Sequence, residues 1–86
     1  MELKDTVENM CSDDYKDRMT AEYHQLKIRY HRLKAYCCKI EAAEMTGTEG
    51  PAHDCPLHLL QKQLRIMGQY LHVLEVRGNI EGVSLK

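Results

Sequence analysis

The 86-residue chain contains no phenylalanine and no tryptophan, so its five tyrosines are its only aromatic residues. It has no apolar run close to the roughly 18–20 residues that a membrane-spanning helix requires, which predicts that no segment crosses a membrane. The N-terminal segment is acidic and has no apolar signal core. Without a secretion signal, we expect a cytoplasmic protein.

An excess of one charge sign is also absent, because 12 lysines and arginines face 13 aspartates and glutamates. This balance argues against extended DNA or RNA as a partner, since such binding needs many cations against the phosphates. The charges are nevertheless unevenly distributed along the chain. Most of the charged side chains in residues 1–22 are acidic. Residues 23–40 contain no acidic side chain and five basic ones, namely Lys27, Arg29, Arg32, Lys34 and Lys39. Such asymmetry is typical of a binding surface or of a segment that pairs with an acidic one.

The sequence has no glycine-rich phosphate loop and no paired carboxylates, and it offers little for covalent catalysis. Cys55 lies near His53 and His58, but a catalytic thiol also needs an oriented base and an oxyanion hole, and no motif predicts the latter. We therefore predict a non-enzymatic protein with no catalytic residues and no cofactor.

The four cysteines do not predict disulfides, because the cytosol keeps thiols reduced and the adjacent Cys37 and Cys38 diverge on a helix. The spacing His53-x-Cys55-x-x-His58 could supply part of a zinc site. The other half would have to come from Cys37 and Cys38, which do not form a C-x-x-C pair. We therefore predict no metal site, and a zinc-stapled structural module around Cys55 remains an alternative.

Apolar residues repeat at alternating spacings of four and three over a long central segment, and this heptad pattern predicts a helix packed along its whole length. The repeating residues are Met19, Tyr23, Leu26, Tyr30, Leu33, Cys37 and Ile40. We predict a short N-terminal helix over residues 1–11 and helix 1 over residues 12–45, with Ser12 as its N-cap.

A loop over residues 46–55 leads to a second heptad pattern, formed by Leu57, Leu60, Leu64, Met67, Leu71 and Leu74. It predicts helix 2 over residues 56–78 and a tail over residues 79–86. Pro56 suits the first helical position, where its missing N–H costs nothing, after Asp54 or Cys55 as the cap.

The two matching patterns predict an all-α protein of one domain, residues 1–86, built as an antiparallel helical hairpin with a short N-terminal helix. Helix 2 also carries a second stripe roughly 100° around from the first, and helix 1 carries a smaller second stripe. The second stripe of helix 2 consists of Leu59, Ile66, Tyr70, Val73 and Ile80, and that of helix 1 consists of Ala21, Ile28, Ala35 and Ala42.

A hairpin can cover only one stripe on each of its helices, so the second stripes need another partner. We predict a homo-oligomeric bundle in which they contact another subunit. The alternative is a monomeric three-helix bundle in which the N-terminal helix covers one of them.

The cationic part of helix 1 contains most of the candidate binding residues. Arg29 and Tyr36 are one heptad apart on a flank of the first stripe, with Arg32 a little further round. Arg65 and His72 share the polar face of helix 2. Guanidinium groups beside an aromatic ring are suited to phosphate and to stacking on a base. We predict a site for a small phosphorylated ligand, formed by Arg29, Arg32, Tyr36 and Arg65. A protein partner on the same surface is the alternative.

Two segments of the chain are SDDYKDRMTAEYHQLKIRYHRLKAY, which begins at Ser12, and CPLHLLQKQLRIMGQYLHVLEVRGNIEGVSL, which begins at Cys55. Both resemble a family of small, functionally uncharacterised proteins from prophages of gut Firmicutes. The resemblance extends from Ser12 to Leu85, except in the loop, and it implies a phage origin. The chain departs from the family pattern at His58, where the family has Glu, and at Gly78, where it has Ala.

Small phage proteins without an enzyme site often block host immunity, and this hairpin is similar in outline to anti-CBASS and anti-Thoeris nucleotide sponges, although their motifs are absent. The likeness implies sequestration of a nucleotide immune signal in a pocket of a helical oligomer. Our leading hypothesis is therefore a phage-encoded, non-enzymatic anti-defence protein in the cytoplasm of the infected bacterium. The alternatives are an anti-CRISPR-like inhibitor that binds a host defence protein, and the zinc-stapled module.

Overall fold

The computed structural model describes residues 1–85 and is all-α, as predicted. A 3-10 turn at Leu3–Thr6 leads directly into the short helix α1, Val7–Met10, and the two long helices are α2, Tyr15–Thr46, and α3, Leu57–Glu81. Within these residues there is no strand, and no helix combines the length and apolar character needed to cross a membrane.

The helices α2 and α3 pack against each other along their length as an antiparallel hairpin. Three contacts define their direction, namely Tyr23 with Glu75, Tyr30 with Gly68, and Glu41 with Gln61. Residue numbers therefore rise along α2 as they fall along α3. The molecule is accordingly elongated, with extents of 49 × 25 × 19 Å.

The core is the line of contact between the two heptad patterns, and this confirms the prediction of a packed hairpin. Its buried cluster contains Met19, Tyr23 and Leu26 of α2 and Met67, Leu71 and Leu74 of α3. Leu74 is 1% exposed and is one of the two largest fully buried side chains of residues 1–85. The half-buried side chains of Tyr30 and Leu33 extend this cluster towards the loop. The heptad spacing therefore identified the core face of both helices.

The start of α2 differs from the prediction that Ser12 is the N-cap. Asp14 is the N-cap, because its backbone is extended and its Oδ1 accepts a hydrogen bond of 3.0 Å from the Lys16 N–H. Ser12 lies outside the helix, where its hydroxyl accepts from the Asp14 N–H at 3.1 Å and donates to Asp17 at 2.8 Å. Ser12 therefore orders the segment before the cap rather than capping the helix itself.

The start of α3 also differs by one residue from the prediction. Pro56 is the N-cap and not the first helical residue, since its ψ of 142° is extended. Its carbonyl accepts the Leu60 N–H at 3.3 Å, which is the first α-helical hydrogen bond. No side chain caps this end of α3.

A glycine in the left-handed conformation ends each long helix, with φ of 66° at Gly47 and 71° at Gly82. After α3, the Val83 N–H donates to the Gly78 carbonyl at 2.9 Å, which is the hydrogen bond of a Schellman motif. The helix therefore continues through Gly78 to Glu81, beyond the predicted end at residue 78. Gly82 sets the end because a glycine adopts this conformation without steric cost.

The N-terminal segment packs on the side of α2 that faces away from α3, and within residues 1–85 it makes no packing contact with α3. Thr6 and Ala21 are buried where the segment meets α2, and Gln25 donates a hydrogen bond of 3.2 Å to the sulfur of Met10. The chain's own N-terminal segment thus covers the Ala21 end of the α2 second stripe. For that end, the prediction of a contact with another subunit is wrong.

The second stripe of α3 has no cover within residues 1–85 of the monomer. Its five side chains are all exposed, namely Leu59, Ile66, Tyr70, Val73 and Ile80. The three layers are therefore ordered N-terminal segment, α2 and α3, and the outer face of α3 is apolar.

One polar contact joins the long helices at the N-terminal end of α2. The buried Tyr23 ring packs in the core while its hydroxyl donates a 2.7 Å hydrogen bond to the Glu75 carboxylate. This hydrogen bond, aided by burial, raises the pKa of Tyr23 to about 12 from its ordinary value of 10.0. The bond requires the protonated phenol, so it stabilises the fold only while Tyr23 remains neutral.

Replacing Tyr23 with Phe is expected to lower the free energy of unfolding by about 1 kcal/mol at pH 8, because the hydrogen bond is lost. The stabilisation should be complete below pH 10 and should disappear as the pH rises towards about 12, the folded-state pKa of Tyr23. Urea unfolding of both proteins at a series of pH values measures this difference. Tyr70→Phe, which alters an exposed tyrosine, is the matched control. A Tyr23→Phe deficit that is constant across pH 8 to 12 would contradict this account.

Candidate functional site

A groove lies on one side of the hairpin, at the middle of the line where α2 and α3 meet. It has a volume of about 660 Å³, is open to solvent, and is lined by Tyr30 of α2 and, from α3, by Leu64, Arg65, Gly68, Gln69, His72 and Val73. This volume is within the roughly 300–1,000 Å³ typical of small-molecule sites. The walls are mainly apolar, and the polar groups come from α3.

Gly68 and Tyr30 form the floor of the groove where the two helices approach closely. A Cβ atom at position 68 would lie 3.4 Å from Cε1 of the Tyr30 ring, so any larger side chain would fill the space above the ring. The absence of a side chain at Gly68 therefore leaves the half-buried Tyr30 ring as an accessible aromatic surface. An aromatic surface of this kind can pack against a planar ligand.

Arg65 and His72 stand one heptad apart along the α3 side of the groove, and both are exposed. The salt bridges in residues 1–85 are Glu2–Lys4 and Arg77–Glu81, so no carboxylate of this part of the chain pairs with Arg65. An unpaired guanidinium beside an apolar wall can donate two parallel hydrogen bonds to a phosphate. The groove thus combines an aromatic floor with one available cation.

The other three predicted site residues lie outside this groove. Arg29 and Arg32 are exposed on α2, and Tyr36 is half-buried. The Tyr36 hydroxyl donates a hydrogen bond to the Ala52 carbonyl and so fastens the interhelical loop to α2. The structure therefore brings Arg65 together with Tyr30 and His72, but not with Arg29, Arg32 or Tyr36. A role for these three in binding stays a prediction.

Sequence reasoning missed Gly68 and assigned Tyr30 only to the core. One signal was available, because an isolated glycine in the middle of a helical pattern often marks a close approach or a functional site. Gly68 follows Leu64 by four residues and so lies on nearly the same face of α3, the face that is turned towards α2. A glycine at that position predicts that side-chain packing between α2 and α3 is incomplete beside Tyr30.

The cysteines and histidines do not form a metal centre in the monomer. Residues 1–85 contain no group of three or more His, Cys, Asp or Glu side chains arranged to hold a metal ion. His53 Nδ1 is instead 2.6 Å from the Cys55 carbonyl oxygen, and Cys37 is buried in α2. Burial, aided by the charge of Glu41, raises the pKa of the Cys37 thiol, which disfavours the thiolate that zinc needs. The zinc-stapled alternative therefore finds no ligand set in this monomer.

Tyr36→Phe is expected to release the interhelical loop without disturbing the hairpin core. Loss of the hydrogen bond to Ala52 should increase amide exchange in residues 48–55 about fivefold, the effect of roughly 1 kcal/mol in local stability. Hydrogen exchange measured by NMR tests this, with Tyr70→Phe as the matched control. Unchanged exchange in the loop would mean that Tyr36 does not hold it.

Comparison with known proteins adds a family to this description. Residues 13–80 match the family model described as Sequestin, and this region includes all of α2 and α3 up to Ile80. No curated protein and no solved structure matches the chain. The match spans both helices of the hairpin and every residue that lines the groove, and the chain therefore belongs to the Sequestin family.

Proposed function

We propose that this chain is a phage-encoded anti-defence protein that sequesters a small phosphorylated nucleotide immune signal in a helical homo-oligomer. The observation that carries the proposal is the Arg65 guanidinium, which pairs with no carboxylate of residues 1–85, at the edge of a groove lined by Tyr30. The family description supports a sequestering role. The resemblance of Ser12–Leu85 to prophage proteins supports the phage origin, and the cytoplasm of the infected host is where such a signal is found.

The residues of the groove divide between the two parts of a nucleotide. Arg65 can bind phosphate oxygens through its fork of N–H groups, and His72 can donate a further hydrogen bond. The Tyr30 ring and the apolar side chains of Leu64 and Val73 can pack against a base or a sugar. Gln69 offers both a donor and an acceptor to base edges.

The same lining supports binding without chemical conversion. None of the seven residues around the groove is Ser, Thr, Cys, Asp, Glu or Lys, so the commonest nucleophiles do not line it. The groove is also too small for a duplex, and the net charge of −1 offers little attraction to extended nucleic acid. A small ligand that is bound and kept intact fits these features.

A second candidate function is inhibition of a host defence protein through direct binding. The exposed second stripe of α3 favours it, because continuous apolar surfaces often mark protein interfaces. In that case, the activity would depend on Ile66 and its neighbours and would need no nucleotide.

Arg65→Ala is expected to weaken nucleotide binding at least tenfold, because a charge-assisted hydrogen bond of roughly 1.5–3 kcal/mol is lost. Thermal shift against cyclic dinucleotides, cyclic trinucleotides and ADP-ribose derivatives identifies the ligand, and calorimetry then measures Kd for each protein. Lys39→Ala, which removes an exposed cation of α2 outside the groove, is the control and should leave Kd within twofold. Arg65→Lys keeps the charge without the fork and should lie between the two. Arg29→Ala/Arg32→Ala measures separately what the two predicted arginines of α2 contribute to Kd.

Three outcomes would contradict the proposal. The absence of a thermal shift with every nucleotide would favour the protein-binding alternative. Loss of binding in Arg29→Ala/Arg32→Ala but not in Arg65→Ala would place the site on α2. Recovery of a converted product after heat release of the bound ligand would show an enzyme rather than a sequestering protein.

A further inference from the structure

The second stripe of α3 has a regular spacing that a second copy of the chain can match. Leu59, Ile66, Val73 and Ile80 follow one another at intervals of seven residues, and they are 49%, 55%, 52% and 77% exposed. A strict seven-residue repeat keeps apolar side chains on one face when two helices supercoil around each other. These four positions are symmetric about a point between Gln69 and Tyr70. When a second copy of α3 packs antiparallel to the first, its four side chains therefore lie at the same levels as the four of the first copy.

The flanks of this stripe have the composition of an interface. Between Lys62 and Arg77, the side chains that border it are uncharged, namely Gln63, Gln69 and Val76, and the stripe itself includes Tyr70. Depletion of charge and the presence of tyrosine are characteristic of the centre of protein–protein contacts. The stripe thus differs from an ordinary solvent-exposed helix face, which would carry charged side chains along its whole length.

The exposed area is also sufficient for a pair. The five stripe residues, which include Tyr70, and the neighbouring Val76 have side chains that are 41–77% exposed. They offer on the order of 500 Å² per copy, and two copies would bury about 1,000 Å², the lower bound for a specific interface. The bordering glutamines add to this area.

We infer that a second copy of this chain covers the second stripe in an antiparallel α3–α3 pair, and that the two grooves then form one ligand site. The second part of this inference rests on the proposed function. In the pair, Ile66 lies opposite Val73 of the second copy and Leu59 lies opposite its Ile80. The two-fold axis passes between the two α3 helices at the level of Gln69 and Tyr70.

The position of the groove relative to the stripe makes the site a shared one. Val73 belongs to both, and Gln69 lies between them, so the groove opens at the edge of the α3–α3 contact. In two antiparallel helices related by a two-fold axis, equivalent flanks lie on the same side of the pair. Both grooves therefore face the same side and adjoin across the axis.

This arrangement sets the spacing of the cations and the stoichiometry. Each Arg65 lies four to five residues from the axis, so the two guanidinium-bearing residues are separated by roughly 13 Å along the helices at 1.5 Å per residue. Such a pair suits a ligand with two phosphate groups that extends across the axis. The expected stoichiometry is one nucleotide per two chains.

Ile66→Glu is expected to convert the dimer to a monomer, because it would place two charges in the centre of the pair. Light scattering should give twice the chain mass of 10.0 kDa for the wild type and 10.0 kDa for the variant. Ile66 is exposed in the monomer, so the helical circular dichroism signal should not change. Met45→Glu, which adds the same charge at an apolar side chain of α2 that is 87% exposed and belongs to neither stripe, is the matched control and should remain dimeric.

A cross-linking experiment tests the antiparallel register. In a background with Ser at the exposed positions Cys11, Cys38 and Cys55, a mixture of Ile66→Cys and Val73→Cys chains should form a disulfide-linked pair on oxidation. Each variant alone should not, since two Ile66→Cys positions would be more than 10 Å apart, beyond the reach of a disulfide. A cross-link within Ile66→Cys alone would indicate a parallel pair and would overturn the register.

The failures of this inference and of the proposed function give different results. A wild-type protein that is a 10.0 kDa monomer at 100 μM but binds nucleotide through Arg65 would overturn the pair and the homo-oligomer, and would leave nucleotide sequestration by the groove intact. A dimer with the expected cross-link that binds no nucleotide would overturn the shared site. Calorimetric stoichiometry of one nucleotide per chain would overturn it as well.

Discussion

Packing of Leu26 and Tyr23 of α2 against Leu71 and Leu74 of α3 determines which faces of the two long helices remain available. Once these side chains are buried, the N-terminal segment covers the Ala21 end of the outer side of α2, and the outer side of α3 is exposed. The same register brings Gly68 beside Tyr30 and so creates the groove. The candidate site and the candidate interface are thus both consequences of one helix–helix contact.

A small hairpin also has little buried surface with which to stabilise itself. The continuous apolar face of α3 therefore has two roles in this account. Pairing through it would add buried area to both copies, and it would join two shallow grooves, each too open to enclose a ligand alone. Stability of the assembly and retention of the ligand would then depend on the same residues, with Val73 part of both.

The helices and their core faces were predictable because the heptad spacing is a property of the sequence alone. The cap residues were not, since Ser12 and Asp14 are both good caps and only local geometry decides between them. Of the four predicted site residues, Arg65 lines the groove, and binding by the other three stays a prediction. Arg29, Arg32 and Tyr36 were grouped from their spacing on one helix, whereas the groove depends on the register between two helices. The contact between Gly68 and Tyr30 belongs to that register and has no signal within either helix except the glycine itself.

The central claim is that the Gly68–Tyr30 groove holds a phosphorylated nucleotide. Amide chemical shift mapping of the isotopically labelled protein during titration with the nucleotide that binds most tightly tests it directly. The account predicts that the largest shifts occur in residues 64–73 and at Tyr30. Shifts confined to residues 29–36, with the α3 amides unchanged, would contradict it.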